Sequence, residues 1–370
     1  MEVKYFLEKL FHNIRYNQKV QLGIFVGFLI LSSIIVWAGI AYSILNTENQ
    51  SVADTHLPMI DEKEEVLTGI IARRLDGMMV DATGANKQPV AIMIENLASG
   101  EVRPQHGLSR ALVVYEVIVE GGITRFMALF AGEDASQIGP VRSARPTYLE
   151  FASEYDALYT HAGGSPEALG AIDGLGIKDL NALTGSRFFW RDTSKFAPHN
   201  LYTSSELIGF ALRDMELEDE KVQFESWKFR DPKNLDDRTE EEKNIKVIFS
   251  TPSYDVEWKY DRENNNYTRT NGGVLQVDPA TNETLTAKNI VVQSVPEALS
   301  AGEKGRVNFN VTGSGKVYVF REGEIVEGTW EKKDRLTRTK FYDENNQEIE
   351  LVRGNTWIEI LPEDSSLEYN

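Results

Sequence analysis

Cysteine is absent from this chain of 370 residues. That omission removes disulfide staples, thiolate nucleophiles, cysteine-bound zinc and an acylated N-terminal cysteine. Histidine is scarce too, with five residues, and none are spaced as His-x-x-x-His or His-Glu-x-x-His. Gly-x-Ser-x-Gly elbows and Walker-type glycine loops are also missing, so zinc-hydrolase, serine-hydrolase and NTPase chemistry lack their usual scaffolds. Positive charge is short: 39 Lys and Arg stand against 57 Asp and Glu, a net charge of −18. The first nineteen residues run the other way, with four basic side chains against two acidic ones, so the surplus negative charge lies beyond them. A surface that acidic repels polyanions at long range, and nucleic acid is not an expected partner. No cofactor is expected. Asp76, Glu95, Glu116, Glu120 and Asp156 are scattered along the chain, so no metal ligand set can be read from spacing.

What is present begins with an uncharged run. Residues 22–45 (LGIFVGFLILSSIIVWAGIAYSIL) carry no charge, and about 20 apolar residues suffice to cross the hydrocarbon core. Basic residues precede the run and the acidic stretch 61–65 follows it, so the positive-inside rule places the N-terminus in the cytoplasm. A secretory signal would have a shorter apolar region and a small-residue cleavage site. The expectation is a single-pass cell-membrane protein. Residues 1–21 are cytoplasmic, 22–45 span the membrane, 46–77 form a polar stalk, and the bulk of the chain is extracytoplasmic.

Beyond the stalk the texture is that of a folded protein. Runs at 88–96, 111–120, 125–131 and 157–161 are apolar and rich in β-branched residues, which predicts strands. Helices are predicted over 148–155 and 165–174, the second announced by Ser165 before a proline, a good N-cap. Strands interleaved with helices argue an α/β domain over 78–228. The charged, turn-rich stretch 229–243 reads as a linker. Short runs with partial alternation then recur between turn signals, from 246–250 to 355–361, which predicts a mainly antiparallel β domain over 244–362.

The chemistry-bearing residues concentrate at turns. EGGITRF, IGPVRSARP and HAGGSPEA place Glu120, Arg125, Arg142, Arg145, His161 and Ser165 between apolar runs, where side chains reach a ligand more readily than they complete a core. Arg142 and Arg145 are three apart, so one helical turn would aim both toward one side. Guanidinium forks bind phosphate or carboxylate in bidentate fashion. The opposing possibility is that these arginines pair with Glu95, Glu116 or Glu120. His161 precedes a helix N-terminus, and His199 lies in a second polar loop with Arg191 and Asn200; either histidine could move a proton near neutral pH. The expected site therefore has Arg125, Arg142, Arg145, Glu120, Ser165, Arg191 and Asn200 as ligand contacts, with His161 and His199 as candidate catalytic groups.

The ordered motifs PVAIMIEN, RPQHGLSRA, VYEVIVEGGITRFMALF, IGPVRSARP, HAGGSPEA and FWRDTSKFAPHNLY resemble those of the YerB-like family of bacterial envelope lipoproteins. Later segments (WKYDRENNNYTRTNGG, AKNIVVQ, EGTWEK, GNTWIEI) are similar to that family's second domain, so the resemblance spans about residues 75–362. It implies an envelope location and a two-part architecture, with no established reaction. Lacking the lipidated cysteine, this chain would use its apolar span as the anchor. The succession of strand, IGPVRSAR turn, helix and strand also resembles the core of the LytR-CpsA-Psr envelope phosphotransferases, with Arg142 matching an arginine that binds a lipid pyrophosphate. This sequence departs from that pattern at Ser143, where an aspartate is usual, and at Arg125, where an acidic residue is usual. Three functions stay open: a binder of an anionic envelope glycan or lipid-linked anion, an enzyme on envelope glycopolymers, and a non-catalytic docking module marked by Trp258, Tyr260, Trp330 and Trp357.

Overall fold

The apolar runs of the first segment become strands β1 (Val90–Glu95), β2 (Val113–Glu120), β3 (Ile123–Phe130), β4 (Leu158–His161) and β5 (Asp179–Asn181). Between and after them lie helices α1 (Pro146–Ser153), α2 (Pro166–Leu175) and α3 (Ser205–Asp214). The computed structural model describes residues 69–218, 224–300 and 305–370. The expected cytoplasmic segment, the span over 22–45 and the stalk as far as residue 68 lie outside the described residues. Among the described residues no helix is long and apolar enough to cross a membrane.

Local chemistry sets the helix ends. Pro146 and Pro166 occupy first-turn positions, where a missing N–H costs nothing. Ser165 and Ser204 cap α2 and α3 by accepting from the Ala168 and Leu207 amides, each cap worth about 1 kcal/mol. α2 stops at Gly176, which takes the left-handed conformation at φ +65°. α3 is not among the expected elements, although its Ser204 cap and the burial of Ile208 and Ala211 on one face follow the usual helical signature.

The second segment supplies β6 (Asn244–Ile248), β7 (Asp255–Asp261), β8 (Asn266–Asn271), β9 (Asn289–Val295), β10 (Gly313–Arg321), β11 (Glu324–Lys332), β12 (Lys340–Asp343), β13 (Thr356–Pro362) and β14 (Ser366–Tyr369). These strands do not stay together. One mixed sheet of ten strands runs β12-β11-β10-β9-β13-β2-β3-β1-β4-β5. β13 sits parallel to both β9 and β2 and so joins the two segments edge to edge. A second, antiparallel sheet holds Val274–Leu275, β8, β7, β6 and β14 in that order, with Thr286–Ala287 also paired to β8.

The two expected domains thus share one sheet, and Leu67–Asn370 is a single compact unit. The stretch expected as a linker is strapped down: Phe229–Arg230 pairs with Leu351–Val352, and Arg230 bonds Glu322. The end of the expected stalk is folded too, since Ile70–Ala72 pairs with Met79–Asp81 and Leu75 and Asp76 are buried.

Strand alternation divides the core in two. Ile92, Ile94, Val114, Phe126, Ala128 and Trp357 point toward the second sheet, meeting Val247, Val256 and Trp258. Met93, Tyr115, Val117, Met127 and Ile358 point the other way, against Tyr148, Phe151 and Tyr155 of the α1 region and Ile172 of α2. Trp258, Tyr260, Trp330 and Trp357 are all buried, so the aromatic docking surface expected there does not exist. Their rings fill these cores, with Trp258 and Phe126 each packed edge-on to Trp357.

Candidate functional site

Three arginines converge where β1, β3 and the chain before α1 meet. Glu95, the last residue of β1, lies directly opposite Arg125 of β3, so both side chains project from the same face. Glu120 reaches that face through a bulge: Ile118 pairs with Thr124 but Glu120 pairs with Ile123, and the extra residue inverts the alternation. Residues 141–144 are extended and not helical as the three-residue spacing suggested. Val141 bridges Ile94, the Arg142 amide donates to Met93, and Ala144 bridges Gly164.

Glu120 holds two of the arginines. Its carboxylate accepts from Nε and Nη2 of Arg145 at 2.9 and 2.7 Å and from Nη2 of Arg125 at 2.9 Å. Arg125 also donates to the Ser143 carbonyl at 2.8 Å, and Arg145 to that of Ala144 at 2.8 Å. Burial pushes the Glu120 carboxyl upward, but the two arginines outweigh it and hold it below the ordinary carboxylate value. Glu95 serves the other end of the cluster. It accepts from Nδ1 of His199 at 2.9 Å and lies 3.2 Å from Nε of Arg142.

Arg142 differs from its neighbours. Its contact with Glu95 is an ion pair without hydrogen-bond geometry, and its Nε, like that of Arg125, is buried with no acceptor. The side chain is 23% exposed, and burial pulls the guanidinium below its ordinary value more than Glu95 restores it. Its terminal N–H groups make no hydrogen bond among the described residues. Three guanidinium groups therefore share two carboxylates, and the least satisfied one faces outward. A fourth cation, Arg306, acts electrostatically on Arg145 from the second segment, and Glu120 bridges it through the backbone.

The remaining expected residues have other tasks. His161 is fully buried, with Nδ1 2.6 Å from the Gly163 carbonyl and Nε2 2.6 Å from Asp179. With both ring nitrogens spent on acceptors, it shapes the turn before α2 and is not placed to reach an outside ligand. The Ser165 hydroxyl caps α2 and is buried, so it is not a ligand contact. Arg191 and Asn200 bond each other at 2.7 Å, and Asn200 also donates to the Asp192 and Lys195 carbonyls. Together they brace the loop that carries His199 to Glu95. His199 itself is 22% exposed, and its Nε2 makes no hydrogen bond among the described residues. A neutral ring donating from Nδ1 presents a lone pair at Nε2, the arrangement of a carboxylate-oriented base.

Residues 75–218 match the N-terminal domain, and residues 245–358 the C-terminal domain, of the family described as Protein of unknown function (DUF3048). The chain belongs to this family. YerB of Bacillus subtilis (strain 168), named as a candidate lipoprotein, is 29% identical over 297 residues, covering 78% of this chain and 86% of that protein. The crystal structure of the YerB protein from Bacillus subtilis matches with a TM-score of 0.71 and 28% identity, covering 80% of this chain and 99% of that one. The YerB-like resemblance thus holds across both DUF3048 segments, and the family description carries no activity. The LytR-CpsA-Psr likeness gains nothing from these matches. Its two departures are occupied structurally: the Ser143 hydroxyl donates to the Ala162 carbonyl at 3.0 Å, and Arg125 is spent on Glu120 and Ser143.

Sequence reasoning missed a buried polar network that joins the two segments of this DUF3048 chain. Glu116 of β2 pairs with fully buried Arg269 of β8, whose guanidinium lies among the rings of Phe126, Trp258 and Trp357. Glu359 of β13 stands beside Glu116 in register and accepts from the Trp258 indole at 3.0 Å. Burial, then Glu116, push the Glu359 carboxyl well above the ordinary value, so one carboxyl of this pair keeps its proton. The one available signal was a glutamate inside the apolar runs VYEVIVE and TWIEILP. Nothing local names an arginine so distant in sequence as the partner.

Proposed function

We propose that this DUF3048 protein is a membrane-anchored, extracytoplasmic envelope protein that binds an anionic group, phosphate or carboxylate, of a cell-envelope ligand at Arg142. The observation that carries this is the contrast between the arginines: Arg125 and Arg145 are consumed by Glu120, whereas Arg142 keeps its terminal donors and lies in a cluster richer in cations than carboxylates. A half-buried guanidinium gains most from an acceptor brought by a ligand, because water is already partly excluded there. The uncharged run at 22–45 and the lipoprotein name of the Bacillus relative support the location.

The Glu95–His199 pair favours a second role at the same place. Nε2 of His199 could take a proton from a hydroxyl or water beside the bound anion, which would make the site a transferase or hydrolase on envelope glycopolymers. Binding comes first in either case. Calorimetric titration of the full-length protein with inorganic phosphate and with acetate, for wild type and Arg142→Ala, tests it. Binding in wild type that falls at least tenfold in the variant supports the site. Equal binding in both would remove Arg142 from it, and turnover lost in His199→Gln with binding intact would establish the catalytic role.

A further inference from the structure

A cavity of about 450 Å3 lies at the junction of the two segments, lined by none of the clustered arginines. Residues 98–104 form one wall, and Ser253 with the hairpin 271–277 forms the other. That volume is within the about 300–1,000 Å3 typical of small-ligand sites.

Its polar groups are incompletely used. Arg103 donates to Asn96 Oδ1 at 2.9 Å, to the Asn96 carbonyl at 3.0 Å and to the Ser253 carbonyl at 2.8 Å. A guanidinium has five N–H groups, so each terminal nitrogen keeps one N–H without an acceptor among the described residues, a donor that a carboxylate could take. No carboxylate contacts Arg103 among the described residues, and burial draws it down to about 10. Asn271 is 2% exposed, and its Nδ2 donates to the Asp255 carbonyl. That bond fixes the amide's orientation and leaves Oδ1 buried with no donor among the described residues, out of reach of the cavity. Gly272, at φ +59°, keeps the turn against Arg103; a Cβ there would meet the Ser253 carbonyl at 2.8 Å and Arg103 Nη1 at 3.3 Å.

The hairpin wall also offers apolar side chains and a free strand edge. Val274 and Leu275 are 67% and 51% exposed, and their short strand pairs with β8 on one side only. An acceptor for Arg103 and an apolar side chain for Val274 and Leu275 together describe one ligand. We propose that this cavity binds the C-terminal end of an extended apolar peptide, with its terminal carboxylate on Arg103 and its last side chain against Val274 and Leu275. Carboxylate capture and strand addition are established modes of peptide recognition.

The test titrates the full-length protein with acetyl-Ala-Leu-Val ending in a free carboxylate and with the same peptide ending in an amide. The carboxylate form should bind at least tenfold more tightly, and Leu275→Asp should weaken it at least tenfold. Arg142→Ala should leave it unchanged, which separates this cavity from the anion site. Arg103→Gln should erase the preference for carboxylate over amide. Because that change also removes the bonds to Asn96 and Ser253, Leu275→Asp, at an exposed position, is the variant that leaves the fold intact. Equal binding of the two peptides, indifference to Leu275→Asp, or no binding at millimolar peptide would overturn the proposal.

Discussion

Truncating each of the three clustered arginines should separate structural from ligand-facing side chains. Arg145→Ala removes three hydrogen bonds, two of them to the Glu120 carboxylate, from a side chain that is 9% exposed. Hydrogen bonds to charged groups contribute about 1.5–3 kcal/mol each, and breaking a buried pair costs about 3–5 kcal/mol. Arg125 remains on Glu120, so the lower part of that range applies, about 3 kcal/mol. Arg125→Ala should cost a similar amount, since it leaves the Ser143 carbonyl without its donor. Arg142→Ala removes one ion pair that lacks hydrogen-bond geometry, and Glu95 keeps its bond from His199, so the loss should be near that of one ordinary hydrogen bond, about 1 kcal/mol. Urea unfolding of the Leu67–Asn370 unit, followed by tryptophan fluorescence and compared at equal m-values, measures all three. A loss of about 3 kcal/mol or more at Arg142, or less than about 1 kcal/mol at Arg145, would refute the assignment and with it the reason for placing the ligand at Arg142.

Two further predictions concern pH. Glu120 is held below the ordinary value of 4.5 by its arginines once burial is overcome, so its stabilisation is fully present above that value and lost as pH falls through the folded one. Glu120→Gln should therefore show a shallower loss of stability on acidification than wild type, and identical acid slopes would count against the pairing. Glu359 behaves oppositely. Its folded carboxyl keeps a proton that the unfolded chain loses above 4.5, so stability falls as pH rises from there. Glu359→Gln, which still accepts from Trp258, should be more stable than wild type at pH 8, with the gap closing toward pH 4.5; a variant less stable at pH 8 sinks this account.

Much of the local structure was legible. The runs at 88–96 and 111–120 became Val90–Glu95 and Val113–Glu120, and Ser165-Pro166 started a helix where it should, because alternation and capping are properties of neighbouring residues. Site residues fared less evenly. Glu95 and Glu120 stood among the carboxylates that could pair with the arginines, and the structure uses both. His161 read as a pocket residue because it follows a strand and precedes glycines, yet Asp179, on a strand beside it, claims its ring. The aromatics of the second segment looked available for contact only because their covering partner, the ten-stranded sheet, is assembled from both segments.

The sequence alone determined where most of the first segment's strands and its Ser165-capped helix lie, that cysteine is absent, and that its turns hold arginine and histidine; periodicity, proline and capping act within a few residues. Tertiary structure decided that β13 would lie between β9 and β2, making one body of two sequence segments. It also decided that Glu116 would meet Arg269, and that Arg142, the most exposed arginine of its cluster, would keep both terminal nitrogens without a bond among the described residues. Those outcomes depend on which strand pairs with which across long stretches of chain. A pleated strand offers the same hydrogen bonds to any neighbour, so the choice is made only when the whole core packs.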